Sequence, residues 1–205
     1  DIGPKMGCPA LDSGYLNLQK VRVPRFNMLA KFQKLAKGGA YTQAPAQLAK
    51  IAYMTMMKAR VAIVYGAGGK LARGAQIVMR YNAYRKQGFI DSKKGIAGGE
   101  RCILDYQIQQ HRIFPQVATA FAIVFASKSL TILLNKFDAV VKSAGKDIDK
   151  IDTSMLPELH CTSAGLKAFT TEMCANGLEE MRKCCGGQGY ALSSGIAQAV
   201  VDYLP

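Results

Sequence analysis

The sequence predicts a mainly α-helical fold, an antiparallel bundle of long helices preceded by a short β segment. The prediction rests on three observations. The hydrophobic period changes from alternating to helical near residue 45. The helical stretches are long and are separated by short glycine-rich or charged breaks, which is typical of antiparallel bundles. Of the 205 residues, 49% are hydrophobic, which is enough to build a sizeable core.

The first part of the chain differs from the rest. Residues 1–28 are rich in glycine and proline, and apolar and polar residues alternate in Tyr15–Leu18, a pattern typical of short strands and turns. Val21–Arg25 has the character of a last strand leaving a β domain. We therefore predict three regions: residues 1–28 as the end of a β domain, residues 29–44 as a linker, and residues 45–205 as the helical bundle.

The helical region divides into three long helices and one short one. The pattern predicts the long helices from about Pro45 to Gln87, from Cys102 to Ala144 and from Pro157 to Cys185. The short helix is predicted to begin at Ser193 or Ser194, because serine is a favoured N-cap residue.

Apolar residues in helical phase support each long helix, and those of the second helix are expected to form its inner stripe. They are Met56, Ala59, Ile63 and Ala67 in the first, Phe114, Val117, Phe121 and Val124 in the second, and Leu166, Phe169 and Met173 in the third.

Charge is distributed unevenly along the chain. The net charge is +13, and residues 1–99 hold 17 Lys or Arg but only 3 Asp or Glu. A basic region suggests an anionic partner, although solubility alone is an equal explanation. The basic region contains no nucleic-acid recognition motif and no strand rich in aromatic residues, so nucleic acid is not expected as a partner.

Cysteine and histidine do not form a recognisable site in the sequence. None of the six cysteines is in a Cys-x-x-Cys pair, and the two histidines lie far apart, so we predict free thiols and no metal site. The most apolar stretch, between Arg112 and Lys128, is too short to span a bilayer and predicts a buried helix without a transmembrane role.

Two glycine-containing segments could bind a ligand. Gly66, Gly68 and Gly69 follow the apolar run Val61–Val64, as in a phosphate-binding loop. Leu71 departs from both nucleotide-binding motifs, because the dinucleotide motif needs glycine at this position and the P-loop needs serine or threonine. A helix packed tightly against a neighbour is the favoured alternative. In the second segment, Cys185–Tyr190, consecutive glycines either end a helix or expose backbone N–H groups to a ligand.

Several motifs, in the same order along the chain, resemble those of peroxisomal acyl-CoA oxidases. They are Arg80–Gln87, Asp105–Gln110 with Phe114-Pro115, Leu156–His160, Ser163–Ala168, Gly177–Arg182 and Cys185–Tyr190. The opening Asp1–Lys5 and Val23–Leu29 resemble the end of that family's middle β domain. The sequence departs from the family pattern at Ser13, at Gly66, Gly68 and Gly69, at Gln188, and at Gly88-Phe89, where the family has Phe-Gly.

The resemblance implies an FAD-dependent enzyme with a bundle of the acyl-CoA oxidase and dehydrogenase type. Such an enzyme introduces a trans-2 double bond into fatty acyl-CoA and reduces O2 to H2O2 in the peroxisome. By the same resemblance, Arg85, Gly186 and Gly187 contact FAD at the interface of a homodimer, and Arg60 contacts the substrate.

The resemblance also places the catalytic glutamate beyond Pro205, so we expect no catalytic residue in this chain and no activity from it alone. The alternative that the residues leave open is a non-catalytic helical domain for assembly or for binding an anionic ligand.

Overall fold

The structure is a computed structural model that describes residues 1–30, 33–43, 53–145 and 151–204. Three long helices form the bundle: α1, Met54–Tyr84; α2, Gln107–Ser143; and α3, Leu156–Lys183. A short helix, α4, spans Ile196–Tyr203 and packs on α3 and α1. The predicted class, a bundle of long helices, is confirmed.

Two small antiparallel hairpins accompany the helices. The first pairs β1, Lys34–Leu35, with β2, Tyr41–Thr42; the second pairs β3, Lys86–Phe89, with β4, Glu100–Cys102. The prediction of strands within residues 1–28 is wrong. Tyr15–Leu18 is exposed and joins no ladder, because alternation forms a strand only where a neighbouring strand supplies hydrogen-bond partners.

Residues 1–30 attach to the bundle through a short contact with α4. The Cys8 N–H donates a hydrogen bond of 2.6 Å to Asp202 Oδ1. The neighbouring Gly7 lies so close to the Val201 carbonyl that a Cβ at this position would overlap it. The assignment of residues 1–28 to a β domain stays a prediction, and the predicted boundary at residue 45 lies outside the described residues.

The helix ends differ from the predictions for identifiable reasons. The first helix ends at Tyr84 and the second begins only at Gln107, because the chain between them forms the β3–β4 hairpin. Ser194 does not cap α4: its hydroxyl donates back to the Ala191 carbonyl at 2.8 Å, and Gly195, with φ of +74°, precedes the helix.

Each long helix buries a stripe of residues spaced alternately by three and four positions, the packing pattern of left-handed bundles. In α1 the stripe is Met57, Val61, Val64, Gly68, Leu71, Ala75, Val78 and Asn82. In α2 it is Ile113, Ala120, Ile123, Ser127, Leu130, Leu134 and Phe137. In α3 it includes Leu156, Leu159, Ser163, Thr170, Cys174, Gly177 and Met181.

The predicted inner stripe of the second helix is therefore largely wrong, and the phased residues that supported the other two helices mostly lie outside the core. Ala67 is buried, and four residues are half-buried: Val117, Val124, Leu166 and Met173. The others are exposed: Met56, Ala59, Ile63, Phe114, Phe121 and Phe169. These helices are apolar over much of their circumference, so two neighbouring stripes share the same period and periodicity alone cannot choose between them.

Close helix packing explains one of the unusual glycines in α1. Val61–Lys70 is continuous helix, so the phosphate-loop interpretation is wrong. A Cβ on Gly68 would lie 2.9 Å from Val124 Cγ2 and 3.3 Å from the Val124 amide nitrogen, whereas one on Gly66 or Gly69 meets nothing within 4 Å. Gly68 therefore marks a close approach between α1 and α2.

Helix α2 is longer than the apolar stretch seen in the sequence. Within the described residues it alone has the length and composition of a helix that could cross a membrane. Its inner stripe packs along α1 and α3, but Phe114, Phe121 and Phe125 on its outer side are exposed, so the prediction of a buried helix is correct for one face only.

The contrast between Gly66 and Gly68 gives a matched test of this packing. We expect Gly66→Ala to stabilise the fold by up to about 1 kcal/mol, because alanine is the better helix former and the added methyl is unobstructed. We expect Gly68→Ala to destabilise it by about 1–3 kcal/mol through overpacking against α2. Urea unfolding of both variants measures the difference, and equal effects would contradict the close approach.

Candidate functional site

A cavity of about 610 Å³ opens where the ends of α1 and α3 meet the start of α2. Its walls bring together Arg85, Gly186 and Gly187, three of the four predicted site residues, from distant parts of the sequence. The other lining residues are Tyr81, Gln87, Gly88, Ile103, Tyr106, Ile108, Gln109, Lys183, Cys184, Cys185 and Gln188. No carboxylate or histidine of the described residues lines it.

Arg85 is the first residue beyond α1, and both its backbone groups are held. Its N–H donates to the Tyr81 carbonyl at 2.8 Å, and its carbonyl accepts from the Ile103 N–H at 2.9 Å. Throughout the described residues no carboxylate lies within ion-pair distance of its guanidinium. The side chain therefore keeps its capacity for a two-pronged contact with an anion.

The hairpin after Arg85 forms one rim of the cavity. Gly88 has a φ of +84°, and the ladder register is irregular between Lys86 and Phe89. The Tyr106 hydroxyl donates to the Gln87 carbonyl at 2.9 Å. The Gly88-Phe89 order, which departs from the family pattern, therefore leaves Arg85 on the cavity wall.

The opposite wall is the 3₁₀ turn Gly186–Gly189, which follows the end of α3. Gly186 has a φ of +55°, and a Cβ on Gly186 or Gly187 would meet nothing within 4 Å, so this backbone is approachable. They are the first residues of this turn, where N–H groups have no carbonyl earlier in the same turn to which they could donate. Gly189, by contrast, is buried against the Arg182 carbonyl and anchors the turn.

Polar side chains join the walls behind the cavity. The fully buried Asn82 donates from Nδ2 to the carbonyls of Val78 at 2.8 Å and Cys184 at 3.3 Å. Gln109 also donates to the Cys184 carbonyl, at 3.5 Å. In the described part of the chain, Gln109 Oε1 is buried and has no hydrogen-bond partner, which leaves an acceptor at the cavity wall.

The charges near the cavity favour an anionic ligand. Lys183 is the second lining cation, and its Nζ lies 3.0 Å from Glu180 Oε1 and 3.8 Å from Glu179 Oε1. Hydrogen bonds from Arg182 lower the pKa of Glu179, and Glu180 also lies 3.8 Å from Arg112 Nε of α2, so both glutamates serve ion pairs. Burial raises the pKa of the Cys185 thiol to about 11 and also raises that of Cys184, so both are neutral near pH 7. Among the described residues the cavity lining therefore contains two cations and no carboxylate.

Arg60, the fourth predicted site residue, lies elsewhere. It is near the start of α1, roughly 37 Å from Arg85 along the helix. Its guanidinium donates to Tyr53 Oη at 2.8 Å and lies 3.3 Å from His160 Nδ1. These contacts join the beginnings of α1 and α3, at the opposite end of the bundle from the cavity.

Sequence reasoning missed Gln87, Tyr106 and Gln109 as cavity residues. Tyr106 and Gln109 belong to the Asp105–Gln110 motif, which resembles a motif of the family. The sequence did not show where this motif lies in the fold. The structure supplies that position by folding the start of α2 against the end of α1.

Comparison with known proteins gives consistent matches over the whole chain. Residues 53–205 match the family described as "Acyl-CoA oxidase, C-alpha1 domain". The chain is 39% identical over 205 residues to the peroxisomal acyl-coenzyme A oxidase 1 of Rattus norvegicus, covering all of this chain and 29% of the rat protein.

Solved structures agree in fold. Arabidopsis thaliana acyl-CoA oxidase 1 superposes with a TM-score of 0.85 at 38% identity, over 100% of this chain and 30% of that one. The Caenorhabditis elegans acyl-CoA oxidase-2, solved with FAD, ascaroside-CoA and ATP, gives 0.84 at 38% identity, over 100% of this chain and 29% of that one. This chain thus spans less than a third of the length of these relatives.

Thiol reactivity tests the burial of the cavity floor. At pH 8 we expect Cys185 to react with iodoacetamide far more slowly than the exposed Cys161, because only the thiolate reacts and a pKa of about 11 leaves very little of it. Its rate should rise as the pH approaches 10. Peptide mass spectrometry measures both sites, and urea should abolish the difference. Equal rates in the folded protein would contradict the burial of Cys185.

Proposed function

The chain belongs to the acyl-CoA oxidase family, and on that premise we propose that it is part of a peroxisomal, FAD-dependent acyl-CoA oxidase. The protein would introduce a trans-2 double bond into fatty acyl-CoA and reduce O2 to H2O2. The family match disfavours the alternative of a non-catalytic domain for assembly or anionic-ligand binding.

The cavity formed by Arg85, Gly186 and Gly187 is the observation that carries the proposal. FAD has a pyrophosphate that needs cationic and N–H donors. The cavity offers a guanidinium without a carboxylate partner in the described residues and two glycine N–H groups with open approach. Charged hydrogen bonds of this kind are among the strongest in proteins. The residues present therefore fit the cofactor's phosphates.

The roles of the chain's residues follow from this arrangement. FAD, when bound, supplies a flavin ring that takes hydride from the β-carbon of the substrate and is reoxidised by O2. Arg85 would neutralise the pyrophosphate, and Gly186 and Gly187 would let it approach the backbone closely. Keeping carboxylates out of the cavity avoids repulsion of the phosphates. All these contributions concern binding and orientation.

We place the substrate's contact at the other end of α1. Arg60 is our candidate because its described partners, Tyr53 and His160, carry no negative charge to compete with an anionic ligand. The Caenorhabditis elegans relative was solved with a CoA thioester, ascaroside-CoA, which supports a substrate of this class. Three of the four carboxylates of α3 are already engaged: Glu179 with Arg182, Glu180 with Lys183, and Glu172 with Asn176.

We also propose that two copies of the protein form a homodimer with FAD at the interface. The cavity is open rather than enclosed, so Arg85 and the glycine turn form one wall of a binding site. A neighbouring subunit would complete it and hold the flavin ring.

Arg85 gives the most direct test of the cofactor site. In the full-length protein we expect Arg85→Ala to weaken FAD binding about tenfold to hundredfold, since a charged hydrogen bond contributes about 1.5–3 kcal/mol. The melting temperature without FAD should change little, because Arg85 is exposed and outside the core. Fluorescence titration of the apoprotein with FAD measures the affinity.

Two matched controls accompany this variant. Lys86→Ala removes the adjacent cation, which is exposed and does not line the cavity, and Lys94→Ala removes one in the loop of the hairpin. Both should keep their FAD affinity. Loss of FAD from the Lys86 variant alone would show that the assignment is one residue off, and unchanged binding in all three would exclude this site.

The separation of binding from chemistry gives a second test. We expect the purified 205-residue chain to produce no H2O2 from fatty acyl-CoA, because its cavity supplies phosphate contacts and no general base. The full-length protein, assayed in parallel with a peroxidase-coupled reaction, should be active. H2O2 production by this chain alone would refute the proposal that it contacts the phosphates of FAD but supplies no general base.

A further inference from the structure

Tyr106 connects two walls of the cavity through both its backbone and its side chain. Its carbonyl accepts hydrogen bonds from the N–H groups of Gln109 at 3.0 Å and Gln110 at 3.1 Å, so it begins α2. Its hydroxyl donates to the Gln87 carbonyl at 2.9 Å, across to the β3–β4 hairpin. One residue thus fixes the rim of the cavity to the start of α2.

Gly88 leaves the space that the Tyr106 hydroxyl occupies. A Cβ built on Gly88 would overlap this hydroxyl, while the next ring atom, Cζ, would be 3.7 Å away. The positive φ of Gly88, +84°, also disfavours any larger residue. The order Gly88-Phe89 and the phenol of Tyr106 are therefore complementary.

This contact lies next to Arg85 in the chain. The Arg85 carbonyl is held by the Ile103 N–H, and two residues later the Gln87 carbonyl is held by Tyr106. On the ring of Tyr106, the Arg101 guanidinium lies 5.5 Å from the centroid, within the range of a cation–π contact. The backbone that orients the Arg85 side chain is therefore held by hydrogen bonds at the carbonyls of Arg85 and Gln87.

We propose that Tyr106 is a positioning residue for the cofactor: by holding the Gln87–Gly88 segment it keeps Arg85 directed at the phosphates of FAD. The proposal rests on the function proposed above. Tyr106 acts through Arg85, so its contribution to FAD binding requires the arginine to be present.

A double-mutant cycle in the full-length protein tests this dependence. We expect Tyr106→Phe, which removes only the hydroxyl, to raise the FAD dissociation constant about three- to tenfold, as for the loss of one hydrogen bond. In an Arg85→Ala background the same change should have almost no further effect, because coupled residues are not additive. Tyr84→Phe is the control: Tyr84 adjoins Arg85, is 88% exposed and lies outside the cavity.

Gly88→Ala provides an independent measurement. It should weaken FAD binding more in the wild-type background than beside Tyr106→Phe, since removing the hydroxyl leaves an ordinary 3.7 Å contact. The positioning role is overturned if Tyr106→Phe weakens FAD binding equally with and without Arg85, or does not weaken it when Arg85 is present. Either result would leave the proposed function intact. A wild-type protein that binds no FAD would overturn both.

Discussion

The close approach of α1 to its three neighbours is the constraint on which the rest of the structure depends. Three buried glycines mark it. Gly68 faces Ile123 and Val124 of α2, Gly74 faces Leu178 and Met181 of α3 and Ile196 of α4, and Gly177 of α3 faces Leu71 of α1; an added Cβ would be crowded at each. Glycine within a helix costs about 1 kcal/mol relative to alanine. At these positions glycine lowers the helix propensity but allows the helices to pack more closely. Their spacing fixes how the helices lie side by side, and thereby where their ends meet.

Different contacts join the helices at the two ends of α1. At its start, Lys58 and Lys142 both contact Asp138, at 2.8 and 2.7 Å, and hydrogen bonds from Lys142 and then Lys58 lower the pKa of that carboxyl. The stability from this group is present above its unfolded pKa and is lost as the pH falls through the lowered one. At the end of α1, the Asn82 and Gln109 amides donate to the Cys184 carbonyl, and the Arg112–Glu180 ion pair joins α2 to α3, while Arg85 has no carboxylate partner among the described residues.

The sequence was sufficient for the helices and for three of the residues that line the cavity, but not for the other lining residues, the buried faces of the helices or the β3–β4 rim. Arg85, Gly186 and Gly187 could be named because motif resemblance is local, and the bundle then brings them together. The inner stripe of α2 could not be chosen, because Phe114 and Phe121 repeat with the same spacing as the buried Ile113 and Ala120. The β3–β4 hairpin at the rim of the cavity could not be predicted for another reason. The β3–β4 hairpin depends on Gly88 and on the Tyr106 hydroxyl, which are distant in sequence and meet only after α2 folds back.

The charge distribution follows from the same geometry. Residues 13–90 contain 14 Lys or Arg and no Asp or Glu, so every carboxylate that neutralises α1 must come from another element. Asp138 of α2 reaches Lys58, but in the described structure no carboxylate reaches Arg85. Arg85 is exposed, so water solvates its guanidinium and the charge remains available to an anion. The uneven charge seen in the sequence thus has a structural counterpart: an end of the bundle where, among the described residues, a cation at the cavity has no carboxylate partner.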